Sequence, residues 1–209
     1  MKKALFVLRY CLILLVSNRV LAQAPKKIIV EHSDFADVNQ VEMPDAFLLT
    51  GNVRMNHDGV VMTCNKAYYF QKENYIKAFG NVQMVQGDTL FLNSKYAEYN
   101  GNVKKAYASG GAVMSSPDAT LEAEIINFDR NTQEVYYDTP GTITNKDKTL
   151  KSNSGKYYVN QKKFQFLTAV TITNPTYVIK SNHLDYFSNS GHSYLLGPST
   201  ITSKANYIY

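Results

Sequence analysis

The sequence predicts an all-β, repeat-built protein, and two observations carry that prediction. First, the 209 residues include 16 Tyr and 10 Phe but no Trp. Aromatic and β-branched side chains suit the half-buried surface of a pleated sheet. Second, two short sequence patterns recur along the chain with one shared period of about 30 residues, as expected of a stack of similar units.

The first pattern is an apolar residue, then a small residue, then a small or apolar residue, then an aromatic residue. The aromatic members are spaced 30, 29, 29 and 29 residues apart, and a weaker copy ending at Phe35 precedes them. Because side chains alternate along a strand, the first two members share one face. The regular copies are Met62, Cys64, Ala67, Tyr69; Leu92, Ser94, Ala97, Tyr99; Leu121, Ala123, Ile126, Phe128; Leu150, Ser152, Gly155, Tyr157; and Ile179, Ser181, Leu184, Tyr186.

The second pattern is a Gly-containing turn followed by a β-branched strand. Together with other turns such as His57-Asp58-Gly59, it predicts two strands of about ten residues in each unit. Such strands suit a jelly roll, in which a strand bends over a groove, better than a tight parallel β-helix. The copies are Gly51-Asn52-Val53, Gly80-Asn81-Val82, Gly111-Ala112-Val113 and Gly141-Thr142-Ile143, with weaker ones at Thr168-Ala169-Val170 and Ser199-Thr200-Ile201.

The first 24 residues predict a cleaved secretory signal peptide. Lys2 and Lys3 precede a mostly apolar stretch, and the small residues Ala22 and Ala24 fit cleavage after either position. The alternative, a membrane anchor, needs about 20 apolar residues, and Arg9 interrupts the stretch well before that length. Residues 25–209 are predicted to form a single repeat domain whose last unit is incomplete. That unit is either an open edge strand or the start of a longer protein.

The mature chain shows no motif for catalysis, a metal or a cofactor. No nucleophile elbow, phosphate-binding loop or paired-cysteine motif occurs, so we expect no enzyme, no catalytic residue, no metal site and no cofactor. Residues 1–24 hold 4 of the 22 basic residues, which leaves 18 basic against 17 acidic and argues against nucleic acid as a partner. Cys64 is then the single cysteine and predicts a small buried strand residue rather than a reactive thiol.

The two patterns together resemble the OstA-like, LptA-type family of periplasmic lipopolysaccharide-transport proteins. The closest copies are Gly51-Asn52-Val53 through Tyr69 and Gly80-Asn81-Val82 through Tyr99. The resemblance implies a twisted β-jelly roll, open at its ends, that binds lipid A acyl chains in an apolar trough in the periplasm. It also implies stacking through edge strands with other jelly-roll transport proteins or with itself, and association with the outer membrane and its translocon.

The resemblance makes the shared face of the first pattern the candidate lipid-binding interior. On residue chemistry alone, the same face is the packed core of a structural or adhesive envelope protein without a lipid ligand, and this alternative stays open. The small residues would leave volume for acyl chains, the recurring Tyr would form an aromatic ladder, and Lys66, Lys95, Lys156 and Lys180 would lie near a rim or keep strands soluble. The candidate residues are Met62, Cys64, Leu92, Ser94, Leu121, Ala123, Leu150, Ser152, Ile179 and Ser181.

Overall fold

The computed structural model describes residues 26–38 and 43–203. The predicted signal peptide lies outside these residues. Within them, 16 strands form one sheet in which every pairing is antiparallel, and one short 3-10 helix, Val159–Gln161, is present. This confirms the predicted all-β fold.

The strands are numbered in the order in which they occur along the chain. The first eight are β1 (Ile29–His32), β2 (Phe35–Val38), β3 (Phe47–His57), β4 (Val60–Phe70), β5 (Tyr75–Gln86), β6 (Leu90–Asn100), β7 (Lys105–Ser115) and β8 (Thr120–Asp129). The second eight are β9 (Glu134–Tyr137), β10 (Gly141–Asn145), β11 (Lys148–Ser152), β12 (Ser154–Tyr158), β13 (Lys163–Thr173), β14 (Tyr177–Phe187), β15 (Ser193–Leu195) and β16 (Ser199–Ser203).

The sheet bends sharply along its middle, which divides it into two leaves that face each other. Leaf A holds β1, β10, β11, β16 and the halves of the long strands that pair with them, such as Val53–His57. Leaf B holds β2, β9, β12, β15 and the other halves, such as Phe47–Thr50. The short strands therefore join in pairs, β1 with β2 for example, into bent strands like the others. Twelve bent strands result, two for each of the six predicted units.

A β-bulge in alternate long strands, namely β3, β5, β7 and β13, marks the bend. Thr50 and Val53 of β3 are three residues apart, while their partners in β4 are two residues apart. The extra residue in β3 is a bulge, and a bulge bends a strand. The turn predicted at Gly51-Asn52-Val53 is therefore wrong: Gly51 and Asn52 have φ of 76° and 45° inside β3. The copies at Gly80, Gly111 and Thr168 are bulges too. A real break separates two strands at the Gly141 copy, between β9 and β10, and at the Ser199 copy, between β15 and β16.

The core lies between the leaves and runs along the whole sheet. One connected cluster of buried apolar side chains extends from Ile28 to Tyr186. Within it the rings of Tyr157 and Phe164 stack at 4.2 Å between centroids. Each leaf alone would expose an apolar face, so the leaves stabilise each other by removing that face from water.

Both ends of the described sheet have strands that pair on one side only. At the first end, β1 and β2 pair only with β3, and at the other end β15 and β16 pair only with β14. Apolar side chains remain exposed there, including Phe35 at 75% and Ile201 at 65%. Unpaired edges of this kind are available for a further strand. In the described part of the chain, no helix has the length and apolar character needed to cross a bilayer.

Candidate functional site

The candidate residues all face the interior from leaf A. Met62, Leu92, Leu121, Leu150 and Ile179 are buried, as are four of the five small residues, and Ser94 is half-buried. The matching wall on leaf B was not among the candidates. It is formed by buried side chains of the second half of the first pattern, including Ala67, Ala97, Ile126, Phe128 and Leu184, together with Phe164 and Phe166 of β13.

Four of the five recurring small residues make a hydrogen bond at the bend. The Cys64 thiol donates to the carbonyl of Lys66 at 3.3 Å, and the hydroxyl of Ser94 donates to that of Tyr96 at 2.9 Å. The hydroxyls of Ser152 and Ser181 likewise donate to the carbonyls of the residues two positions ahead, at 3.0 and 2.9 Å. These bonds satisfy a carbonyl that the bend removes from the regular ladder, and a buried carbonyl needs a partner. Among the five small residues, only Ala123 has no hydrogen-bond donor in its side chain.

The buried setting of Cys64 confirms that it is a small strand residue. Its side chain is 5% exposed, and burial raises the pKa of the thiol to about 11. A thiol in that state is protonated at neutral pH and is a poor nucleophile.

The middle of the interior is packed. A cavity of about 10 Å³ lies among Met55, Met62, Met84 and Tyr99. A larger apolar pocket of about 250 Å³ opens at the first end of the sheet, between Val30, Ala36, Phe47 and Leu49. Binding of acyl chains between the leaves at this cavity therefore requires the leaves to separate.

The two leaves are closed against each other along one line of contacts, here called the seam. It joins the turns at the free margin of leaf A to the turns at the free margin of leaf B. Asp58 of leaf A accepts from Lys104 of leaf B at 2.6 Å, and Lys162 lies 3.0 Å from Asp118. Farther along, Lys148 donates to the carbonyl of Gly191 at 2.8 Å. The interior is thus sealed by polar contacts between turns.

Hydrogen bonds between successive turns order the leaf B side of the seam. The amide of Gly101 donates to the carbonyl of Asn74 at 2.7 Å, and that of Arg130 donates to Lys104 at 3.0 Å. Val159 donates to Gln133 at 3.0 Å, and Ser188 to Lys162 at 2.9 Å. These bonds make the leaf B turns a continuous stack, which fixes the backbone positions of Lys104, Arg130 and Lys162.

The most charged part of the seam is a cluster of Lys26, His57, Asp58, Lys104 and Arg130, here called the seam cluster. Arg130 donates to the Tyr99 oxygen at 2.7 Å, and that oxygen lies 2.6 Å from His57 Nδ1. His57 Nε2 lies 2.9 Å from the Lys26 carbonyl. Because a carbonyl only accepts, Nε2 carries the proton of the neutral imidazole, and Nδ1 accepts from Tyr99.

The electrostatics of the seam cluster keep His57 neutral and Asp58 charged. Burial lowers the pKa of His57, and the nearby charge of Arg130 lowers it further, although the bond to Lys26 opposes this. Hydrogen bonds from Lys104 and Lys26 hold the pKa of Asp58 far below its usual value. Lys26 itself lies 2.5 Å from Asp58.

The predicted aromatic ladder faces the interior, and its hydroxyl groups reach the seam. Tyr69 donates to the carbonyl of Ile28 at 2.9 Å, and Tyr186 to the side-chain oxygen of Asn145 at 2.6 Å. Burial raises the pKa of Tyr186 to about 12, so its phenol stays protonated. The ladder therefore ties leaf B to leaf A.

The lysines considered for the rim lie elsewhere. Lys66 and Lys156 are on the outer face of leaf B, where Lys66 lies 4.8 Å over the Tyr68 ring and Lys156 is 3.8 Å from Glu134. Lys95 is exposed at a bulge, and Lys180 is exposed on leaf A. The cations at the mouth of the interior are instead Lys104, Arg130 and Lys162, which the two patterns do not include. Among the described residues, no group of His, Cys, Asp and Glu is arranged to hold a metal ion.

The bent sheet with an apolar interior and two unpaired ends defines a β-jelly roll. The chain belongs to the OstA-like protein family, whose model matches residues 25–182. This membership supports the predicted family and the prediction that the chain is not an enzyme.

Comparison with solved structures agrees on the fold. The described fold is similar to the crystal structure of LptH from Pseudomonas aeruginosa, the LptA homologous periplasmic component of the lipopolysaccharide transport device, with a TM-score of 0.50. The two are 11% identical, and the match covers 55% of this chain and 94% of LptH. At that identity the likeness concerns the fold alone. Sequence comparison with curated proteins gives no match.

Proposed function

We propose that the protein is a non-enzymatic, lipid-binding component of lipopolysaccharide transport to the outer membrane. One observation carries this proposal: an apolar interior runs the length of a bent sheet and is sealed on one side by polar contacts alone. Opening that side exposes a trough lined by Leu92, Leu121 and Leu150 on leaf A. Burial of each acyl CH₂ group would contribute about 0.8 kcal/mol, which is ample for a lipid with several chains.

The proposal extends to location and partners. The predicted signal peptide and the periplasmic LptH support a periplasmic location with association to the outer membrane. The unpaired β1 and β2 edge and the β15 and β16 edge support stacking end to end with other jelly-roll proteins, with the outer-membrane translocon or with a second copy. Strand addition at such edges satisfies backbone groups that water otherwise occupies.

Site-specific photocrosslinking tests the lipid-binding part. A photoreactive amino acid is placed at Leu92 or Leu121, which face the interior, and in matched variants at Asn93 or Glu122, which face outward from the same strands. The purified protein is then illuminated with lipopolysaccharide. We expect crosslinks from the two interior positions. Crosslinks only from the outward positions would reject the proposal.

The packed interior favours one competing function, a structural envelope protein with a closed core. A cavity of only about 10 Å³ among Met55, Met62 and Met84 is what a permanent core shows. The same crosslinking experiment separates the two functions, because a permanent core gives no lipid adduct from any of the four positions.

A further inference from the structure

The seam cluster carries more positive than negative charge. Lys26 and Lys104 both pair with the single carboxylate of Asp58, at 2.5 and 2.6 Å. Arg130 donates to the carbonyls of His57 and Asp58, to Tyr99 and to Gln86, at 2.7 to 3.2 Å. Within the described residues, its guanidinium has no carboxylate at salt-bridge distance. His57 is neutral, so three cations face one anion.

The geometry of these cations suits an anion with several oxygens. Arg130 uses Nε, both Nη1 hydrogens and one Nη2 hydrogen in these bonds, which leaves one Nη2 hydrogen for an anion. The two ammonium groups bind phosphate as point charges. Arg130 is held in place by backbone and side-chain bonds, and its amide is part of the turn stack of leaf B. Little ordering is therefore needed before an anion binds.

Apolar side chains lie directly below the seam cluster. His57 and Tyr99 line the cavity that also contacts Ile28, Met62 and Met84. A ligand with an anionic group at the seam would place an attached hydrocarbon chain toward the interior. The juxtaposition matches an amphiphile, with its charged head at the turns and its tails between the leaves.

We propose that the seam cluster binds the phosphate headgroup of an acyl-chain ligand. The phosphate oxygens take the place of the Asp58 carboxylate on Lys104 and Lys26 and also pair with Arg130. This inference rests on the proposed function, because it needs acyl chains between the leaves. Asp58 then acts as an internal competitor that closes the seam when no headgroup is bound.

Two substitutions with opposite expected effects test the site. Lys104→Gln removes a cation, and we expect affinity for lipid A with both phosphates to fall about tenfold, the effect of losing one charge-assisted hydrogen bond. Asp58→Asn removes the competitor, and we expect the same affinity to rise. Lys105→Gln is the matched control, since Lys105 pairs with Asp129 at 3.2 Å on the outer face of leaf B. Affinity is measured by displacement of N-phenyl-1-naphthylamine, with melting temperature recorded for each variant.

Dephosphorylated lipid A and inorganic phosphate identify the source of the anion. Both substitutions also remove the Lys104–Asp58 ion pair that closes the seam, so the change in affinity for dephosphorylated lipid A measures the effect of easier opening, and we expect a rise of similar size for both variants. If both substitutions shift the affinity for phosphorylated lipid A in the same direction, or shift it equally for the two lipids, the cluster is only a structural clasp and the inference is wrong. Displacement of lipid A by inorganic phosphate at equal concentration would assign the site to a free anion and overturn it too.

The outcome for wild-type protein keeps this inference apart from the function on which it rests. Binding of both lipids with equal affinity leaves the proposed function intact and overturns the headgroup site. Binding of neither lipid overturns the proposed function and the headgroup site together.

Discussion

Tyr99 of leaf B and His57 of leaf A meet across the seam, with 2.6 Å between the phenol oxygen and His57 Nδ1. The same oxygen accepts from Arg130 at 2.7 Å, so one hydroxyl bonds to the buried His57 of leaf A and to the half-buried Arg130 of leaf B. Tyr99 is therefore both the aromatic member of its repeat and part of the closure between the leaves.

Tyr99→Phe keeps the ring but leaves His57 Nδ1 and an Arg130 donor without this partner. We expect a loss of about 1–3 kcal/mol in the free energy of unfolding, the usual cost of an unsatisfied buried group. Urea denaturation measures it. Tyr107→Phe on the outer face, where the ring lies 6.4 Å from that of Tyr96, serves as the control, and an equal loss there would contradict the role given to the seam.

Stability should fall as the pH falls below the ordinary pKa of histidine, 6.5. Burial lowers the pKa of His57 in the folded state, so below pH 6.5 the unfolded chain binds a proton that the folded chain does not. Stability from this group is complete above pH 6.5 and is lost toward the folded pKa. Urea midpoints between pH 5 and 8 show the trend, and His57→Gln should flatten it. A wild-type profile no steeper than that of His57→Gln would contradict the assignment.

The small residues beside the bulges predict a pair of opposite effects. Ser94→Ala removes the donor to the Tyr96 carbonyl, and we expect a loss of about 1 kcal/mol. Ala123→Ser supplies the same donor in the copy that lacks it, and we expect a gain of similar size. Urea denaturation of both variants measures the change in stability. No change in either variant would instead favour the idea that these residues make room for acyl chains.

The residues at the bulges predict a second pair of substitutions with opposite effects on stability. Gly51→Ala would place a Cβ 2.2 Å from Asp34 Oδ2 at a φ of 76°, and we expect a loss of at least about 1–2 kcal/mol. Thr168 is β-branched yet has a φ of 66° at the corresponding bulge of β13, so Thr168→Gly should stabilise the protein. Thermal melting compares them, and destabilisation by Thr168→Gly would show that this side chain has a compensating contact.

Cys64 should resist alkylation until the protein unfolds. Burial raises its pKa to about 11, so at pH 8 very little thiolate is present. We expect slow labelling by iodoacetamide in buffer and rapid labelling in urea, followed by mass spectrometry. Rapid labelling in buffer would mean that the bend near Cys64 opens readily.

The repeat was predictable because each copy is a short, contiguous stretch of sequence. Patterns of period 30, with turns such as His57-Asp58-Gly59 between them, give six units, and the strand pairing has the same six. The bend was harder, since glycine and asparagine favour turns and bulges alike. One sign was available: Cys64 and Ala67 are three residues apart, so both face the interior only if the alternation of the strand breaks between them.

The seam was not predicted because its contacts join turns far apart in the chain. Lys104 and Asp58 are 46 residues apart, and each is an ordinary turn residue when considered alone. A sequence signal does exist: Asp58, Asp88, Asp118 and Asp147 stand 30, 30 and 29 residues apart, all in the leaf A turns. A repeated acid at one turn series suggests a basic partner opposite, although periodicity does not say which cation provides it.

The order of the strands has a consequence for how the molecule assembles. Each bent strand pairs with the bent strands before and after it in the chain, so a newly formed hairpin needs only the previous one as a template. Contacts that are close in sequence form quickly, and stacked units add to their neighbours one at a time. The sheet can therefore grow progressively from either end, and the strand that happens to be last at any stage presents the same kind of edge as the finished protein.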